Sequence, residues 1–116
     1  NSVKSGEAAA RTLLDLARPP TAIFAANDDM AAGGIRVALR RGLRIPVDLS
    51  VAGFDDSALA SHVFPSLTTI RQPLARMAER AAQAIIGFAE APERGTGTVI
   101  VPSALVIRES PGPAPS

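Results

Sequence analysis

The sequence predicts an α/β fold, a mainly parallel sheet flanked by helices. Three observations carry this. Two short apolar runs, residues 21–26 and 51–54, each stop abruptly at Asn or Asp, as buried strands do where they pass into loops. Residues 29–41 between them read as a helix, so strand, helix and strand follow in the order of a βαβ unit, whose crossover is almost always right-handed. A third, β-branched run at residues 67–70 then leads into the strongest helical pattern of the chain.

Taken in order, Ser5 is a good N-cap for a helix to about Arg18, with Ala9, Ala10, Leu13, Leu16 and Ala17 on its buried side. Glu7, Arg11, Asp15 and Arg18, spaced by four, four and three, form a solvated face with paired charges. Pro19-Pro20 ends it. In the second helix, Asn and Asp suit the N-cap and the positive first turn, Arg40 and Arg41 the negative end, and Gly42 an αL stop. Gly33-Gly34 would weaken an isolated helix by roughly 1 kcal/mol each, so close packing against a neighbouring backbone is their expected use.

Residues 43–50 connect to the second strand. Asp56 or Ser57 can cap a short helix after it, and Pro73 suits the first position of the last helix. Leu74, Met77, Ala78, Ala81, Ala82, Ile85, Phe88 and Ala89 give that helix one apolar stripe. Residues 98–101 and 104–108 are further strand candidates, and residues 111–116, rich in Pro, are expected to form a mobile tail.

Composition removes several classes of function. The chain has 116 residues, 47% hydrophobic, enough for the core of one domain or one lobe. Twelve basic and eleven acidic residues leave a formal net charge of +1, with no clustered basic surface of the kind DNA binding needs. Without cysteine there is neither a disulfide framework nor a thiolate metal site, which fits the cytoplasm. No apolar run approaches the length that spans a membrane, and no signal peptide opens the chain. The start, which lacks an initiator Met, reads as a cut inside a longer protein.

The candidate chemistry sits at two strand ends, Asn27-Asp28 and Asp55-Asp56. If the strands are parallel, these ends share one rim of the sheet, where ligands of open α/β folds bind. Carboxylates accept several hydrogen bonds and Asn both donates and accepts, a set suited to vicinal hydroxyls. The same four residues also make ordinary helix caps and turn residues. A carboxylate pair for hydrolysis lacks any third group suited to a mechanism, and the sole histidine, His62, lies beside Pro65 in a short loop where a surface or interface role fits better. The D-x-D-x-D-G pattern of a calcium loop is absent, and neither Gly33-Gly34 nor Gly95-x-Gly97 is a phosphate loop.

Four segments in order and register resemble the lactose/galactose repressor (LacI/GalR) family of bacterial transcription regulators. They are residues 22–31 (AIFAANDDMA), 42–56 (GLRIPVDLSVAGFDD), 65–73 (PSLTTIRQP) and 106–110 (VIRES). The resemblance implies a periplasmic-binding-protein-like (type I) fold: two α/β lobes, joined by three crossovers, closing on a small effector. Residues 1–72 would belong to the C-terminal lobe. Residues 73–102 would be a crossover helix and strand that pack on the N-terminal lobe, residues 103–110 the return strand and residues 111–116 the flexible tail.

Carried over by position, the ligand-binding candidates are Asn27 and Asp55, which match effector-contacting residues, Asp28, which matches an adjacent and often cap-like acid, and Gln72, which matches a hinge residue near the ligand. Ala32, Ile35 and Arg36 fall on a dimer-interface helix, and His62 and Val63 on a second interface loop. The implied partners are a sugar-like effector, a second copy of the chain, and DNA through an upstream helix-turn-helix module, with no cofactor, metal or catalytic residue. A periplasmic sugar-binding protein shares the fold and is the alternative; residues 45–46 and 67–69 favour the regulator. The apolar stripe of residues 74–89 would then need cover, by folding back, by a second chain or by exchange between chains.

Overall fold

The computed structural model describes residues 2–95 and 97–115. The chain divides into two compact units, residues 1–71 with 105–116 and, separately, Gln72–Ala104.

In the first unit, helix α1 (Val3–Leu14) begins three residues earlier than expected. Ser2, not Ser5, is the N-cap: its hydroxyl accepts from the Ser5 backbone N–H at 3.1 Å, and the Ser5 hydroxyl accepts from the Ser2 N–H at 2.9 Å. This reciprocal box satisfies two orphan donors, and Ser5 serves it from the third helical position. The helix stops at Leu14, short of Arg18. Pro19 disfavours helical backbone at its predecessor, and the Asp15 carboxylate accepts from Arg41 at 2.7 Å instead of continuing the α1 surface.

Strand β1 (Ala22–Phe24) leads into helix α2 (Asp28–Arg40), which ends as its sequence indicates. Gly42 has φ 77°, its N–H reaches the Leu39 carbonyl at 3.0 Å, and the Leu43 N–H reaches the Ala38 carbonyl at 3.0 Å, closing a Schellman motif. Gly33 meets α1 backbone to backbone, since a Cβ there would lie 2.1 Å from the Val3 carbonyl oxygen. Gly6 is its counterpart on α1, where a Cβ would lie 2.2 Å from the Met30 carbonyl oxygen. Gly34, by contrast, has room for a side chain. Glu7 joins the two helices too, 3.2 Å from Arg11 and 3.7 and 3.8 Å from Arg36 and Arg40 of α2.

Strand β2 (Ser50–Ala52) runs parallel to β1, pairing Ile23 with Val51, and the βαβ unit is complete. Helix α3 (Ala58–His62) follows, then strand β3 (Thr69–Arg71), approached through a parallel bridge between Ala52 and Thr68. Strand β4 (Ala104–Val106) pairs with β3. The core lies between α2 and the sheet, with Ala31, Ile35 and Ala38 against Leu49, Val51, Ala60 and Leu67. The other face of the sheet is open: Phe24 is 67% exposed and borders an apolar concavity with Ala22, Ala52, Ile70 and Leu105.

The expected mobile tail is partly docked. The Ser50 hydroxyl donates to the Gly112 carbonyl at 3.1 Å and accepts from the Gly112 N–H at 2.9 Å. Just before it, Ser110 is fully buried. Its hydroxyl donates to the Val51 carbonyl and accepts from the Thr68 N–H at 2.9 Å, while its own carbonyl accepts from the Val51 N–H at 3.2 Å. One side chain thus closes the ladder where β2 and the approach to β3 separate. Residues 113–115 are exposed, and Ser116 lies outside the described residues.

In the second unit, helix α4 (Leu74–Glu90) has Pro73 as its N-cap, one position before the expected one, and a 3₁₀ turn at Pro92–Arg94 follows. No α4 residue is buried, so its apolar stripe is exposed along the helix. Residues 98–101, expected as a strand, belong to no strand among the described residues.

Candidate functional site

The polar residues after β1 and β2 lie on one rim, because the strands are parallel and their exits are stitched together. The Ala25 N–H donates to the Ala52 carbonyl at 2.8 Å, and the Asp28 N–H to the Phe54 carbonyl at 3.0 Å. The second exit is tied in turn to β3, with Gly53 N–H to Thr68 carbonyl and Asp55 N–H to Ile70 carbonyl, both at 2.9 Å.

Asn27 caps α2, its side-chain oxygen accepting from the Met30 N–H at 2.9 Å. That uses the oxygen; the amide nitrogen has no partner among the described residues and remains a donor at a half-buried position. Asp55 is exposed, and its carboxylate has no hydrogen bond among the described residues. Its φ of 113° is uncommon for any residue but glycine, and such strain persists where surrounding structure over-determines it.

Asp28 has a different place. It is 1% exposed, and both of its oxygens are occupied: Oδ2 accepts from the Ser57 N–H and hydroxyl at 2.7 and 3.2 Å, and Oδ1 from the Thr69 hydroxyl at 2.6 Å. It braces the rim from beneath. Gly53 makes this possible, since a Cβ there would lie 2.4 Å from Asp28 Oδ1. Ser57 holds the N-cap position of α3, yet its hydroxyl is given to Asp28 and makes no cap bond.

Asp56 is not a cap, since Ser57 holds the N-cap position of α3. Its Oδ2 accepts from Arg71 Nε and its Oδ1 from Arg108 Nη2, each at 2.7 Å. These hydrogen bonds, Arg108 first and Arg71 second, hold its carboxyl below the ordinary aspartate range. Arg108, Ser57 and Thr69 are the site residues that sequence reasoning missed. The one available signal was Arg108 itself, a charge at the end of an otherwise apolar strand pattern.

Of the other candidates, Gln72 is half-buried and begins the second unit. Ala32 is half-buried and Arg36 exposed, whereas Ile35 is 3% exposed and belongs to the core, which corrects its expected place on an interface. The helix turns Ile35 inward, into the buried cluster that holds Leu49 and Val51. His62 is exposed, its ring nitrogen hydrogen-bonded to the Ala58 carbonyl, and Val63 packs partly against the core. Among the described residues, no group of His, Cys, Asp and Glu could hold a metal ion.

A parallel sheet with polar groups gathered at its strand ends makes an open α/β lobe, the architecture in which ligands bind at the carboxyl ends of strands. The chain belongs to the periplasmic-binding-protein-like domain family, which it matches over residues 1–111, in the branch carried by LacI-type regulators. It is 35% identical over 108 residues to the probable HTH-type transcriptional repressor ExuR of Bacillus subtilis, covering 93% of this chain and 32% of that protein. Among solved structures, it is 32% identical to the lac repressor dimer bound to operator and the anti-inducer ONPF, with a TM-score of 0.86 over 95% of this chain and 38% of that one. A LacI family regulator from Enterococcus faecium with bound ribose is 31% identical, with a TM-score of 0.78 over 99% of this chain and 41% of that one. The chain spans about a third of the length of the curated relatives it matches, 32% and 31% for the first two proteins.

Proposed function

We propose that the chain is part of the effector-sensing and dimerising region of a DNA-binding transcription regulator, a repressor that answers to a small sugar-like ligand in the cytoplasm. Asn27 and Asp55 contact the ligand, with Gln72 as a further contact, and Asp28 supports the rim without touching it. The observation that carries this reading is the unspent Asn27 amide and Asp55 carboxylate on one stitched rim of parallel strands. Donor and acceptor together match a sugar hydroxyl pair, and the region binds without turnover.

The relatives favour a regulator over a periplasmic sugar-binding protein, since they are HTH-type repressors. Ala32, Arg36, His62 and Val63 remain interface positions, on α2 and at the end of α3. Effector binding favours one arrangement of the two lobes, and the dimer carries that preference to DNA-binding heads upstream. Open apolar surfaces on the sheet and on α4 are where the remaining two thirds of such a protein would pack.

The test is calorimetry on the full-length protein with a panel of pentoses, hexoses and disaccharides. Asp55→Ala should lower affinity for the effector by about 1–3 kcal/mol, the scale of a buried polar partner left unpaired. An unchanged affinity removes Asp55 from the site.

A further inference from the structure

Asp55 and Asp56 are successive non-glycine residues with positive φ, 113° and 56°. Backbone of this kind holds its shape only where neighbours fix it. Among the described residues, Asp55 has one hydrogen bond, from its N–H to the Ile70 carbonyl, and its side chain has none. Asp56 has several. Its N–H donates to the Thr69 hydroxyl at 3.3 Å and its carboxylate holds Arg71 and Arg108. Arg108 is itself fastened, Nη1 to the Leu67 carbonyl at 2.9 Å and backbone N–H to the Thr68 hydroxyl at 2.7 Å. The pair is sheltered, with the Asp56 and Arg108 side chains 9% and 19% exposed.

The two arginines also have a particular place along the chain. Arg71 is the last residue before the chain leaves the first unit, and Arg108 lies just after its return at Leu105. One carboxylate therefore grips both connecting segments, next to the residue that faces the ligand.

We infer that Asp56 is the positioning residue of the rim: through Arg71 and Arg108 it holds the Asp55 backbone in its positive-φ pose and ties that pose to both connecting segments. The inference rests on the effector-site reading for what Asp55 does, but not for the pose itself.

The test is amide hydrogen exchange on the full-length protein, comparing residues 53–57 with the core amides of α2. Asp56→Asn keeps the shape and removes the charge; Arg108→Gln removes the partner; Arg71→Gln, at a side chain 60% exposed, is the mild variant that leaves folding intact. Exchange at 53–57 should quicken at least tenfold in Asp56→Asn and Arg108→Gln and less in Arg71→Gln, with α2 amides within twofold of the parent. Arg108→Lys should recover part of the protection. Unchanged exchange at 53–57, or a rise shared equally by α2, overturns the inference. In parallel, D-ribose and the other sugars are titrated into the parent and Asp55→Ala. If no sugar binds, or Asp55→Ala binds as well as the parent, the effector-site reading fails while the exchange result still decides the role of Asp56.

Discussion

Gly53→Ala is a sharp test of how the rim is built. Gly53 follows β2, and its missing side chain is what lets the Asp28 carboxylate lie against the sheet. An added Cβ would sit 2.4 Å from Asp28 Oδ1, 2.9 Å from Leu67 Cδ2 and 3.2 Å from Asp28 Cα. The carboxylate cannot swing aside freely, because Oδ1 holds the Thr69 hydroxyl at 2.6 Å and Oδ2 holds Ser57. Two losses follow. Overpacking a tight site costs about 1–3 kcal/mol. A buried carboxylate oxygen or hydroxyl left without its partner costs about 1–3 kcal/mol more. The sum, about 2–6 kcal/mol, is a large share of a typical domain's stability. The measurement is urea unfolding followed by far-UV circular dichroism, with Gly34→Ala as the matched control. There the added methyl would be 3.9 Å from the Ala10 Cβ, an ordinary contact between α1 and α2. Gly34→Ala should be neutral or stabilising by up to about 1 kcal/mol. If Gly53→Ala unfolds with the parent midpoint, or both variants lose stability equally, the close approach of Asp28 to the strand is not what shapes the rim.

Further predictions concern the core, the sheet closure and pH. Ile35→Ala should cost about 2–5 kcal/mol as a core truncation, and the loss should be the same at low and high protein concentration, as it would not be for an interface residue. Ser110→Ala strands the Val51 carbonyl and the Thr68 N–H and should cost about 1–3 kcal/mol, read as a shift in urea midpoint. The Asp56 carboxyl titrates lower in the folded chain than its ordinary 3.8, so its stabilisation is present above that value and lost as pH falls through the depressed one. In acid titrations, Asp56→Asn should be less stable than the parent near neutrality and the two curves should converge at the acid end; parallel curves would count against the ion pair.

Much of the fold could be read from local chemistry. The caps at Asn27 and Gly42 announce both ends of α2, and the polar breaks after β1 and β2 announce the rim. Gly33 was legible as a backbone approach, because a glycine inside a good helix needs a reason. Its counterpart Gly6 was not, since near a helix start a glycine reads as indifferent. Asp56 was misread for a different cause: its partners lie 15 and 52 residues away, and a local view of two adjacent aspartates sees caps. Ile35 illustrates the limit of family position as a guide, for a residue on an interface helix can still point inward. The tail was misjudged because Pro and Gly content speaks of local stiffness and freedom, while the Ser50–Gly112 pair spans 62 residues.

Ser110 has a consequence for how the molecule is made. The strand it completes, β2, contains Val51, translated 59 residues earlier. Until Ser110 emerges from the ribosome, the Val51 carbonyl and N–H and the Thr68 N–H have no protein partner at that point of the sheet. Contacts so distant in sequence form late, since the loop must close before it is rewarded. The nascent lobe therefore waits with a gap beside β2, open to water or to a chaperone, until one serine shuts it.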